Sequence, residues 1–176
     1  MPPGPVPRRK ACMARETTGA AILEDGVLAG LVGAVVVAVW FLILDSFHGT
    51  PFATPSLLGQ AVFLGASADQ AATDPVLVFA YTGMHGLLFL IAGVTLAWMV
   101  MQFEKNPQFG MVLALLFVLF ESIVLGLEVT VVPQLVGALG TWAVLIANLL
   151  SAIAMFWFLL RRRPEALSRL RAAWSD

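Results

Sequence analysis

The sequence predicts an all-α integral membrane protein: an antiparallel bundle of four transmembrane helices with short interfacial helices. Three observations carry this expectation. Of 176 residues, 60% are hydrophobic and 12% charged, with a mean hydropathy of +0.90. Soluble domains carry about 45–50% apolar and about 25% charged residues, and a globule this small leaves much of its surface in water. The apolar residues fall into four long runs, and every lysine and arginine falls outside them.

The chain opens on a basic tail, 1–25, that reads as disordered. It holds four prolines together with Arg8, Arg9, Lys10 and Arg15, a composition that cannot bury enough apolar surface to order itself. Met13 is placed as an alternative start. Cys12 is the one cysteine, which excludes an intrachain disulfide and a CxxC redox or zinc motif. It reads as an exposed thiol, with juxtamembrane palmitoylation the sharper alternative.

The four runs are 26–44, 75–101, 109–132 and 139–160. Each approaches or exceeds the ~20 residues that a helix needs to cross about 30 Å of hydrocarbon. Backbone groups in lipid must be satisfied within the segment, so helices follow. Asp74-Pro75 and Asn106-Pro107 each place an N-cap residue before a proline, the pattern of a helix start. The fourth run leads into a basic tail, 161–176, where Leu167, Leu170 and Trp174 fall on one helical face among Arg169 and Arg171. That pattern suits a short helix on an anionic membrane surface. In the long loop 45–74, the stretch 55–64 is apolar but too short to span, and suits an interfacial or re-entrant helix.

Orientation follows from the basic residues. They occupy the N-terminal tail, Lys105 between the second and third runs, and Arg161, Arg162, Arg163, Arg169 and Arg171 at the end. The loops 45–74 and 133–138 have none, and the first carries Asp45, Asp69 and Asp74. Positive residues stay cytoplasmic, which puts both termini inside a bacterial-type inner membrane. Trp40, Trp98, Trp142 and Trp157 lie near the run ends, as an interfacial belt would. Small residues offer close helix contacts: Gly26-xxx-Gly30 with Gly33, then Gly83, Gly86 and Gly93, Ser122-xxx-Gly126, and Ala143-xxx-Ala147-xxx-Ser151.

Ionisable groups inside a span cost about 2.5–3.5 kcal/mol each, so they call for a reason. Here they are His85, Glu121 and Glu128, with Asn148 as an amide. Counted at about 1.5 Å per residue, His85, Glu121 and Asn148 lie roughly 14–17 Å below the outer surface, in one layer. Tyr81 and Thr82 lie one turn above His85, Glu128 two turns above Glu121, and Asp45 and His48 at the outer rim. One reading is an interhelical hydrogen-bond network that sets register, at about 0.6 kcal/mol per bond. The other is a ligand, ion or proton path opening outward.

No cofactor is required by these residues. His48 is the only histidine besides His85, so bis-histidine haem within one chain is disfavoured, and haem shared between two chains is the remaining form. Neither glutamate has a histidine three residues on, as di-iron bundles do. No metal site, catalytic serine set or phosphate loop is present, and the arginines are explained by the membrane rather than by nucleic acid. The leading expectation is a non-enzymatic accessory or scaffolding subunit of a membrane complex, whose partners are the bilayer and another membrane protein or a second copy. The alternatives are a small proton-coupled carrier using His85 and Glu121, and a haem- or quinone-binding redox subunit.

Overall fold

The computed structural model describes residues 19–65, 73–106 and 140–164, with positions 112, 115, 118, 119, 122 and 168. Its regular elements are helices: α1 (Gly19–Phe47), α2 (Ala53–Gly59) running into a π turn (Gln60–Leu64), α3 (Pro75–Lys105) and α4 (Thr141–Arg162). Of these, α1, α3 over Pro75–Phe103 and α4 are long and apolar enough to cross a membrane. The described positions of the third run, Val112, Leu115, Val118, Leu119 and Ser122, are helical and exposed. The remainder of that run lies outside the described residues, as do residues 1–18 and most of the basic tail.

Helix boundaries differ from expectation where charges are involved. α1 begins at Gly19, so 19–25 are helical and do not belong to a disordered tail. Glu24 and Asp25 are held by Arg162 and Arg163, which lets the helix carry two carboxylates in its second turn. At 29 residues, α1 is roughly 43 Å long, so its ends project beyond a hydrocarbon layer. α3 starts where expected: the Asp74 carboxylate accepts the Val76 amide at 2.8 Å, with Pro75 in the first turn. It runs four residues past the expected end and stops at Asn106, which is extended (φ −138°, ψ 105°) because Pro107 follows. α4 starts at Thr141 rather than 139, since Gly140 is at φ 74°. It ends before Arg163, which precedes Pro164.

α1 is the central element, packed along α3 on one side and α4 on the other. Against α3, Gly26 faces Val94, Gly30 faces Phe89 and Leu90, and Gly93 faces the backbone of Gly26 and Gly30. A Cβ on Gly93 would lie 2.5 Å from the Gly30 nitrogen and 2.7 Å from its Cα, so only glycine permits this approach. Against α4, Gly33 meets Met155, and Trp40 donates from its indole nitrogen to the Ala143 carbonyl at 3.0 Å. α1 is therefore antiparallel to both neighbours. Ala143, Ala147, Ser151, Met155 and Leu159 are buried at four-residue spacing, the contact stripe of α4. Ala29, Ala97, Val100, Leu159 and Leu160 form a core toward the Asp25 end.

Not every small residue is a contact. Among the described residues nothing lies within 4 Å of a Cβ built on Gly83 or Gly86, so Gly93 alone carries the α3 seam described here. Ser122 is exposed and donates to the Val118 carbonyl of its own helix at 2.8 Å. Its partner in the expected pair, Gly126, lies outside the described residues.

Candidate functional site

Three polar clusters sit on this scaffold, one inside the helix layer and one at each end. The inner one centres on His85. Its ring lies 4.7 Å from the Phe89 ring, tilted by 49°, and 5.9 Å from the Tyr81 ring, stacked at 28°, contacts that a four-residue helical spacing allows. Nε2 approaches the Ala34 carbonyl of α1 at 3.5 Å, the outer limit of a hydrogen bond. The imidazole is half-buried, facing α1.

The other expected members of that layer are placed as follows. Asn148 is half-buried on α4, between Ala143, which is level with Trp40, and Met155, which is level with Gly33. His85 is level with Ala34, and Asn148 falls on the opposite flank of α1 between the levels of Gly33 and Trp40. The Asn148 carbonyl accepts from the Ser151 hydroxyl at 3.0 Å. Thr82 is exposed and donates to the Val78 carbonyl at 2.7 Å, which satisfies its hydroxyl within its own helix. Glu121 and Glu128 lie outside the described residues.

At the α2 end, Asp45 is buried to 5% exposure. Its carboxylate accepts the Thr54 amide at 2.8 Å and the Thr54 hydroxyl at 2.6 Å. The cap position of α2 is Phe52, held at φ 68° with no side-chain acceptor, so Asp45 supplies from a distance what a capping side chain normally would. The Ser56 hydroxyl accepts the Asp74 amide at 3.0 Å. His48 is exposed and donates from Nδ1 to the Leu44 carbonyl at 2.8 Å. Asp45 is thus a pin for the loop helix rather than a group open at the rim.

At the opposite end, Asp25 receives Arg162 Nη1 at 2.8 Å and Arg163 Nε and Nη2 at 3.2 and 3.0 Å. The Arg163 and Asp25 side chains are only 9% and 13% exposed. Arg161 lies over the Trp157 ring at 4.9 Å. Sequence reasoning passed over Asp25, Thr54 and Ser56. The available signals were two carboxylates beside the first span on the same side as Arg161–Arg163, and Thr54-Pro55 at the start of an apolar stretch nine residues after Asp45.

Comparison with protein-family models, curated proteins and solved structures finds no match. The chemistry available is therefore read from the side chains alone. Among the described residues no group of three or more His, Cys, Asp or Glu is placed to hold a metal ion. His85 is the one described histidine at mid-helix. Asp45 and Asp25 are held by partners of their own.

Proposed function

We propose that this chain is a four-span bacterial inner-membrane protein that serves as an accessory or scaffolding subunit through helix contacts. The observation that carries the reading is how the helices meet. α1 is clamped between α3 and α4 by glycine, alanine and serine contacts, and the outward residues of all three long helices are large and apolar. Polar groups within the layer meet carbonyls: Trp40 to Ala143, His85 to Ala34, and Thr82 and Thr95 to their own helix. Such bonds specify register more than they stabilise.

The helix directions favour a fourth crossing. α3 and α4 both oppose α1, so α3 ends beside the Asp25 end while α4 begins beside the α2 end. A crossing by the stretch between Lys105 and Thr141 would join them. The start of α1 and the end of α4 lie together on the side of Arg161–Arg163, the cytoplasmic side by the charge rule.

The test is photo-crosslinking from exposed positions such as Leu88 and Ile153 in native membranes, with sizing in mild detergent. A discrete partner or a stable homo-oligomer is expected. A monomer with no crosslinked partner overturns the reading. A carrier reading is favoured by one observation, the long 3.5 Å contact of His85, which leaves its ring weakly held. Loss of transport in His85→Ala and Glu121→Gln, with abundance kept, would establish it over scaffolding.

A further inference from the structure

Within residues 52–64, the hydroxyls of Thr54 and Ser56 turn inward while several large apolar side chains turn outward. Thr54, Ser56, Leu57 and Gly59 are buried, with both hydroxyls engaged on Asp45 and Asp74. Phe52, Val62, Phe63 and Leu64 are 47–63% exposed. A helix lying on a soluble protein has the opposite arrangement, with its apolar stripe facing the core. No charged residue occurs between Asp45 and Asp69, so this face offers a protein partner no charge to pair with. The neighbouring ends of α1 and α3 expose Ile43, Phe47, Val76 and Phe79, and α2 packs against both helices. The apolar surface therefore extends from the membrane-spanning helices onto the loop.

We propose that residues 52–64 are immersed in the outer leaflet, with Phe52, Val62, Phe63 and Leu64 among the lipid acyl chains. This rests on the membrane reading above and adds the partner of this element. The physical requirement is that polar groups in hydrocarbon be satisfied internally. The segment meets it in two ways: its backbone is helical through the π turn, and Asp45 takes both the Thr54 amide and hydroxyl. Twelve helical residues reach roughly 18 Å, too short to cross, so the element dips in and returns at Gly65, which is at φ 61°.

The test uses the full chain with Cys12→Ser and single cysteines introduced by Phe63→Cys, Leu64→Cys, Val39→Cys or His48→Cys. Each is labelled with an environment-sensitive fluorophore and reconstituted in phosphatidylcholine–phosphatidylglycerol vesicles. Positions 63 and 64 are expected to be quenched at least about twofold more by acyl-chain nitroxide lipids than by aqueous iodide, with the reverse at His48. Quenching of 63 and 64 by iodide alone overturns the proposal, and so does protection from both quenchers, which would mean a protein covers the face. Val39 lies within the apolar run 26–44 and is exposed on α1. If Val39 is not quenched by nitroxide lipids, the membrane reading itself fails. If Val39 is quenched and 63 and 64 are not, only the leaflet proposal fails.

Discussion

Replacing Gly93 with alanine puts a methyl group where α1 already lies. Its carbon would press on the Gly26 carbonyl oxygen and lie 2.5 and 2.7 Å from the Gly30 nitrogen and Cα. Carbon contacts settle at about 3.5–4.0 Å, so the helices have to part by roughly 1 Å. The three nearest atoms are all backbone, so no flexible side chain there can yield instead. The separation loosens the Gly26–Val94 and Gly30–Leu90 contacts together and lengthens the 3.5 Å approach of His85 to Ala34. Overpacking a well-packed contact costs about 1–3 kcal/mol, and a site walled by backbone belongs at the upper end. The assay is unfolding from dodecylmaltoside into SDS, followed by far-UV circular dichroism. Gly83→Ala is the control, because nothing among the described residues lies within 4 Å of its Cβ. A Gly93→Ala protein within about 0.5 kcal/mol of the parent, or no worse than Gly83→Ala, would refute the reasoning.

Three further outcomes follow from the clusters. A double-mutant cycle of Asp25→Ala and Arg163→Ala, measured by the same unfolding, should give a coupling of about 1.5–3 kcal/mol, as for charged hydrogen bonds largely shielded from water. A coupling near zero would place this pair among exposed ion pairs that contribute little. Thr54→Val removes the hydroxyl bonded to the buried Asp45 carboxylate while keeping the shape. It should cost about 1–3 kcal/mol and speed amide hydrogen exchange across residues 53–59; unchanged exchange there would show that Asp45 does not pin the loop helix. Trp40→Phe should cost about 1 kcal/mol through loss of its bond to Ala143, whereas Trp98→Phe, at an exposed position, should cost less. Equal losses would remove Trp40 from the α1–α4 contact.

Much of the helical layout was legible in the residues. Hydropathy is a sum over a run, so 26–44, 75–101 and 139–160 announce apolar helices without reference to anything distant. The start of α3 was equally local, because Asp74 caps a helix whose second residue is Val76 and whose first is a proline. Charge is a poor marker of where these helices begin. Glu24 and Asp25 look like the end of a tail until Arg162 and Arg163, 137 to 138 residues away, are placed beside them. Small residues are as poor a marker of contact: Gly86 and Gly93 share a face by spacing, yet only Gly93 meets α1 among the described residues.

The candidate site shows the same division. Spacing along one helix places Tyr81, His85 and Phe89 on one face, and their rings do meet, Tyr81 stacked on His85 and Phe89 tilted against it. Thr82 is one turn from His85 as well, but its hydroxyl satisfies its own helix and the residue faces outward. By itself, the sequence determined that long apolar helices would form and how their polar residues are spaced along them, because both depend on distance along the chain. Only the tertiary structure decided which partners those residues meet. Asp45 becomes a buried pin for Thr54, Trp40 a tie to Ala143, and Gly93 the point of closest approach to α1. The reason is that a contact between helices depends on rotation about each axis to within a few tens of degrees and on their relative register, and neither quantity is written in any single run of residues.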